Sequence, residues 1–292
     1  MNEFIVDPYA VLLQYKYLSN QQTNHHHQPQ QQIDLSYDEE YCLTQPVFGI
    51  ILIVSEWPCT NQPYITQLEQ LQHNTNQLLC NKIMDNTSKH MNPILWTANH
   101  ALHITMSTVM RFTDNIIDST YYNNNSTAAQ LVRLYDHIVP DHNLIKLRKQ
   151  CLCDWIDVIQ QISDEVDITQ SVTLTVQSIQ LTDNACIALI NDKTNTIHRI
   201  RELLLKYTKQ HEHSEQLLDM IKIPNIIHST LFRFIDTIPD PILFRQQFDE
   251  LVTQWIPVDI TMSGYELIVE TVPYMHHLPH SQVTVLKHNF GR

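Results

Sequence analysis

Glycine is nearly absent: Gly49, Gly264 and Gly291 are the three in 292 residues. A fold that cradles phosphates on glycine-rich loops cannot be built from them, because such loops need several backbone N–H groups brought close to the anion. Positive charge is scarce as well. Lys and Arg total 18 against 31 Asp and Glu, a formal net charge of −13, which excludes broad binding along a nucleic-acid backbone. Long apolar runs are missing. The best, Phe48 to Val54, has seven residues, far short of the roughly 18 that span a bilayer. Glu3 and Asp7 stand where a secretion signal would carry positive charge. Six cysteines are present and none forms a C-x-x-C pair; Cys151 and Cys153 are too close together for a zinc knuckle. In a chain of this length they read as reduced thiols, which places the expected location inside the cell, in the cytoplasm or nucleus. Any phosphate chemistry must therefore come from side chains.

What the sequence does contain is apolar material, 43% of residues against 17% charged, enough for a substantial core. Residues 1–18 form a moderately apolar N-terminal segment. Residues 19–45 read as a low-complexity linker, with the polar run from Ser19 to Gln32 unable to offset the entropy of ordering its backbone. The triplet His25, His26 and His27 falls in that tract and reads as composition rather than as a metal site. Residues 46–292 read as one α+β domain. Val47 to Val54 predicts a buried strand, and Pro63 opens a helix with Leu68, Leu71 and Leu78 inward. Ile94 to Phe112 reads as one strand. Amphipathic stretches at 126–139 and 142–162 predict a helical insertion, the second carrying the stripe Leu144, Leu147, Cys151, Trp155 and Val158. Val172 to Val176 alternates and Cys186 to Ile190 follows, both as strands. Then come a helix from Thr196 to Lys209, a strand from Ile226 to Phe234, a helix capped by Asp240-Pro241, and the last strands from Ile260 onward.

Two strings carry the candidate chemistry: Leu102-His103-Ile104-Thr105-Met106 and Ile227-His228-Ser229-Thr230-Leu231. Both are H-x-T within strand-like stretches. Residues i and i+2 of a strand share a face, so His103 projects with Thr105 and His228 with Thr230. Each string presents an imidazole beside a hydroxyl from a rigid platform. Two imidazoles meeting at one place can divide protonation duties, one taking a proton from an attacking group and the other giving one to a leaving oxygen. The hydroxyls can hold the non-bridging oxygens of a phosphate. That chemistry calls for no metal and no cofactor, and neither His277-x-x-His280 nor any other spacing in the sequence marks a ligand set.

In the order of elements and in these two motifs, residues 46–290 resemble the 2H phosphoesterase superfamily, which includes RNA 2′,3′-cyclic phosphodiesterases. The resemblance implies a bilobal α+β fold, with two antiparallel sheets facing a central cleft, helices outside, and two pseudo-symmetric lobes. It implies His103 and His228 as the acid–base pair and Thr105 and Thr230 as phosphate ligands. The expected activity is metal-independent hydrolysis of a cyclic phosphate, a 2′,3′-cyclic nucleotide or RNA end, or of a 2′–5′ phosphodiester. The expected partner is thus a small nucleotide or RNA end, with no membrane. The alternative is a catalytically silent relative that binds a nucleotide or a protein in the same cleft. Departures are Ser229, where an apolar residue is usual, and the long helical insertion.

Strand parity bears on three further residues. Arg111, eight positions past His103, falls on the same face if the strand runs unbroken and would then add a phosphate contact. Phe232 shares the parity of His228 and is a candidate substrate contact, stacking on a base, against the more common reading as a core aromatic. Arg233 has the opposite parity and is expected to face away.

Overall fold

The computed structural model describes residues 4–5, 50–56, 62–80, 92–97, 102–110, 142–166, 171–270 and 282–290. Chain order gives β1 (Ile50–Glu56), α1 (Gln62–Leu78), β2 (Ile94–Trp96), β3 (His103–Met110), α2 (His142–Glu165), β4 (Val172–Leu181) and β5 (Ala185–Asn191). It continues with α3 (Thr196–Gln210), α4 (Ser214–Met220), β6 (His228–Phe234), α5 (Pro241–Val252), β7 (Val258–Met262), β8 (Gly264–Glu270) and β9 (Gln282–Asn289). The class is α+β, as the sequence pattern implied. Every strand pair is antiparallel, and the strands form two sheets ordered β3-β1-β8-β9 and β2-β6-β5-β4-β7.

Neither sheet is contiguous in sequence. β1, β3, β8 and β9 make the first, while β2 and β4 to β7 make the second. Helix α1 follows a strand of the first sheet yet packs against β7 of the second and against α5. Gln67 on α1 fixes that docking with a reciprocal pair of hydrogen bonds to the backbone N–H and C=O of Ile256. Helices α3 and α4 pack on β3, and α2 packs on α3. Asp240 caps α5 by accepting from the Leu243 N–H at 2.9 Å, with Pro241 in the first turn. The apolar faces merge into one core, whose fully buried large side chains include Tyr64, Trp155, Phe232, Phe234, Phe244, Phe248 and Tyr265. Phe4 joins it from the N-terminal segment, stacked on Phe234 with ring centroids 4.1 Å apart and covered by the Arg245 guanidinium.

One expectation is corrected here. The stretch from Ile94 to Phe112 is not one strand. β2 pairs with β6 in the second sheet and β3 pairs with β1 in the first. The apolar run looked continuous because both strands bury one face, but their faces belong to different sheets. The polar stretch 210–224 holds a short helix, α4, with Leu217 fully buried. Residues 126–139, the first part of the expected insertion, lie outside the described residues; its second part is α2. Among the described residues no helix is long and apolar enough to cross a membrane.

Gly264 shows what glycine is needed for in this fold. It opens β8 directly against β9, and a Cβ there would meet the His288 carbonyl oxygen at 2.1 Å. That clash is with backbone and cannot be relieved by a side-chain rotation. Gly264→Ala is expected to lower the unfolding free energy by about 1–3 kcal/mol, measured by urea titration; an unchanged midpoint would show that the β8–β9 pairing tolerates the displacement.

Candidate active site

β3 and β6 come from different sheets and touch one another. On β3, His103 and Thr105 are half-buried and flanked by fully buried Ile104 and Met106. The Nε2 of His103 and the hydroxyl of Thr105 share a hydrogen bond of 3.1 Å, so the two side chains project together as period-2 alternation requires. On β6, His228 and Thr230 are half-buried, and between and beyond them Ser229 and Leu231 are buried. Both strings thus alternate as read from sequence.

Beyond the H-x-T strings the alternation breaks. In β3 the register against β1 slips twice, leaving Met106 and Val109 without a partner on β1. In β6 the register against β5 slips once: Thr230 pairs with Ile187 and Phe232 with Cys186, so Leu231 is the extra residue of a β-bulge. A one-residue bulge inverts the face of everything after it. Phe232 therefore lies opposite His228 and Thr230. It is fully buried, with its ring centroid 4.7 Å from Trp96, 5.7 Å from Phe234 and 5.8 Å from Phe248. Of the two readings of Phe232, the base-stacking contact is corrected and the core aromatic is what the structure shows. The same bulge moves Arg233 onto the His228 and Thr230 face, the reverse of the parity expectation. Arg111 lies outside the described residues.

The residue that ties the motif strands together was not singled out by sequence. Arg201, on α3, is 3% exposed. Its Nε donates to the Met106 carbonyl at 3.1 Å, and its Nη2 donates to the carbonyls of Thr105 at 3.0 Å and Ile226 at 3.3 Å. One guanidinium nitrogen therefore holds the backbone of the first motif and the backbone two residues ahead of the second. Met106 is one of the two bulged residues of β3, and Arg201 takes the carbonyl of that irregular site. A second tie runs alongside: Thr108 and Lys222 exchange backbone hydrogen bonds of 2.9 and 2.7 Å, and the Ser107 hydroxyl donates to the Lys222 carbonyl.

This clamp has an electrostatic consequence. Burial depresses the His228 pKa below the ordinary histidine value of 6.5; the Ile226 carbonyl opposes this as the next largest effect, and the positive charges of Arg233 and Arg201 depress it further. The His228 imidazole is held neutral at neutral pH. Burial also lowers the pKa of Arg201 from its ordinary value, yet a guanidinium starts so high that it stays charged. Two arginines beside a neutral imidazole make a local positive field within a chain of net charge −13, which is what an anion needs.

No family model matches the chain, and no curated protein matches it. Similar solved structures include TT0787 of Thermus thermophilus, at 10% identity and a TM-score of 0.43, covering 83% of this chain and 98% of that one. They also include E. coli LigT complexed with NADP+, at 8% identity and a TM-score of 0.38, covering 84% of this chain and 99% of that one. The MHV ns2 PDE domain is similar at 10% identity and a TM-score of 0.34, over 64% of this chain and 84% of that one. These are members of the 2H phosphoesterase superfamily, the group that the two motifs resemble. At such values the functional reading rests on the site itself.

Arg201→Met keeps much of the side-chain length and removes every donor. It leaves the carbonyls of Thr105, Met106 and Ile226 without that partner, at about 1–3 kcal/mol for each group left unsatisfied. The expected loss of unfolding free energy is about 3 kcal/mol or more, read by denaturant titration; a change below about 1 kcal/mol would show that Arg201 does not hold the strands.

Proposed function

We propose that the chain is a phosphodiesterase that hydrolyses a cyclic phosphate, such as a 2′,3′-cyclic nucleotide or RNA end, or a 2′–5′ phosphodiester, by metal-independent acid–base catalysis. The observation that carries this reading is the Arg201 clamp, which joins the backbones of two imidazole-and-hydroxyl motifs 125 residues apart in sequence. The two lobes, in this reading, each contribute one H-x-T to a shared cleft between the sheets. His103 and His228 are the acid–base pair, and Thr105 and Thr230 donate hydroxyl hydrogen bonds to non-bridging oxygens. The positive field of Arg201 and Arg233 favours the dianionic character that develops as the phosphoryl group is attacked.

The neutral state of His228 supports the division of labour. His228 accepts the proton of the attacking water as its oxygen bonds to phosphorus. The bond from phosphorus to the ribose oxygen breaks, and His103 delivers a proton to that leaving oxygen. The Thr105 hydroxyl, hydrogen-bonded to His103, sets the ring plane for this transfer. The overall acidic surface disfavours long tracking contacts along RNA, which suits a small nucleotide or a chain end.

His103→Ala and His228→Ala should each lower kcat for a 2′,3′-cyclic nucleotide by about 10²- to 10⁴-fold, with thermal unfolding unchanged. Full hydrolysis in either variant rejects the assignment, and tight nucleotide binding without turnover in the native chain identifies the silent relative instead.

The pH dependence follows from the direction of the His228 shift. A base must be unprotonated to act, and its pKa lies below the ordinary 6.5, so the acid limb of kcat/KM falls below pH 6.5. Removing a positive neighbour stabilises imidazolium and raises the pKa. Arg233→Gln therefore moves that limb upward toward the ordinary histidine value, and a limb that stays in place would remove Arg233 from the field acting on His228.

A further inference from the structure

Helix α2 packs through a stripe of fully or nearly fully buried side chains, Cys151, Trp155, Val158 and Ile162, at helical spacing. Asp154 lies on the same stripe and is 3% exposed. A carboxylate on a packing face is costly unless a cation or a set of donors meets it. What meets it is the three-residue turn between α3 and α4. His213 Nδ1 lies 3.1 Å from both Asp154 carboxylate oxygens. His211 stands beside it, its ring 5.6 Å from that of His213. One ligand atom from each of Asp154, His211 and His213 lies within 4.8 Å of the others.

The chemistry of the three groups is consistent with one occupant. The His213 backbone N–H donates to His211 Nδ1 at 3.2 Å. That bond fixes the orientation of the His211 ring beside the carboxylate. Neutral imidazole is the form that binds a metal ion. A tetrahedral zinc ion with bonds of about 2.0–2.1 Å sets its ligand atoms about 3.3 Å apart, close to the 3.1 Å already found between His213 and Asp154. The turn that carries the histidines is held at both ends. The His211 N–H donates to the Tyr207 and Thr208 carbonyls, and the His213 carbonyl accepts from the Leu217 N–H. His211 and His213 are partly exposed, so an ion can enter and keep water at a fourth position.

We infer that Asp154, His211 and His213 form a binding site for a divalent transition ion of the zinc type. Two nitrogens and one carboxylate suit such an ion over calcium or magnesium, which take oxygen ligands. The ion joins α2 to the α3–α4 turn and braces the helical layer packed on β3. This site shares no residue with the H-x-T pair, so bracing and hydrolysis are separable.

The test uses the full chain stripped of metal and titrated with Zn²⁺, followed by calorimetry and thermal unfolding, with Co²⁺ as a spectroscopic probe. The expected result is one tight ion per chain, a rise in Tm of about 4 °C or more at saturating Zn²⁺, and the intense visible bands of tetrahedral Co²⁺. His211→Ala, a change in an exposed turn that leaves the Asp154–His213 pair intact, should weaken that ion at least about 100-fold, as should His213→Ala. A triple alanine variant of His25, His26 and His27 should bind as the native chain does. Hydrolysis of a 2′,3′-cyclic nucleotide, if present in the native chain, should persist in His211→Ala. The inference is overturned if Zn²⁺ leaves Tm unchanged, if binding survives His211→Ala, or if it disappears only in the triple variant. Any of those results reduces the cluster to an aspartate–histidine hydrogen bond.

Discussion

A single buried guanidinium joins what the chain keeps apart. Arg201 is almost wholly shielded from water, and its donors reach the carbonyls of Thr105, Met106 and Ile226. The first two belong to a strand of one sheet; the third leads into a strand of the other. Backbone carbonyls in a core must be satisfied, and a bulged strand leaves some without a ladder partner. The guanidinium, planar and rigid, supplies several donors at fixed angles. It converts two irregular strand ends into one fixed unit. It ties the backbone of the first motif to the segment that leads into the second.

The same group shapes the electrostatics. Burial lowers the His228 pKa most, and the nearby charges of Arg233 and Arg201 lower it further. The scarcity of glycine fits this arrangement. A chain without backbone phosphate cradles must place its donors on side chains, and strands hold side chains more firmly than loops do.

The sequence revealed the motifs, the class and most element boundaries because those depend on short-range pattern. Period-2 alternation around His103 and His228 is local. So is the proline at the start of α5 and the stripe of α2. What escaped had a physical cause in each case. The bulge at Leu231 depends on pairing with β5, and parity counted along one strand cannot detect it. Phe232 and Arg233 were therefore assigned to each other's faces. The split of Ile94 to Phe112 into two sheets depends on topology. Arg201 and Asp154 did leave a trace. Each is a charged residue on the apolar stripe of its helix, Arg201 between Ile197 and Leu204 and Asp154 between Cys151 and Val158. A stripe interrupted by charge marks a position where tertiary structure supplies the partner. Both positions proved to anchor contacts between distant segments.

The central claim is that two distant imidazole-and-hydroxyl couples meet on one phosphate. The most direct measurement is a crystal structure of the chain with a nucleoside 2′-monophosphate bound. The account predicts one phosphate group with the His103 and His228 rings and the Thr105 and Thr230 hydroxyls all within about 2.7–3.2 Å of its oxygens. A phosphate seated elsewhere, or rings too far apart to reach the same group, would contradict it.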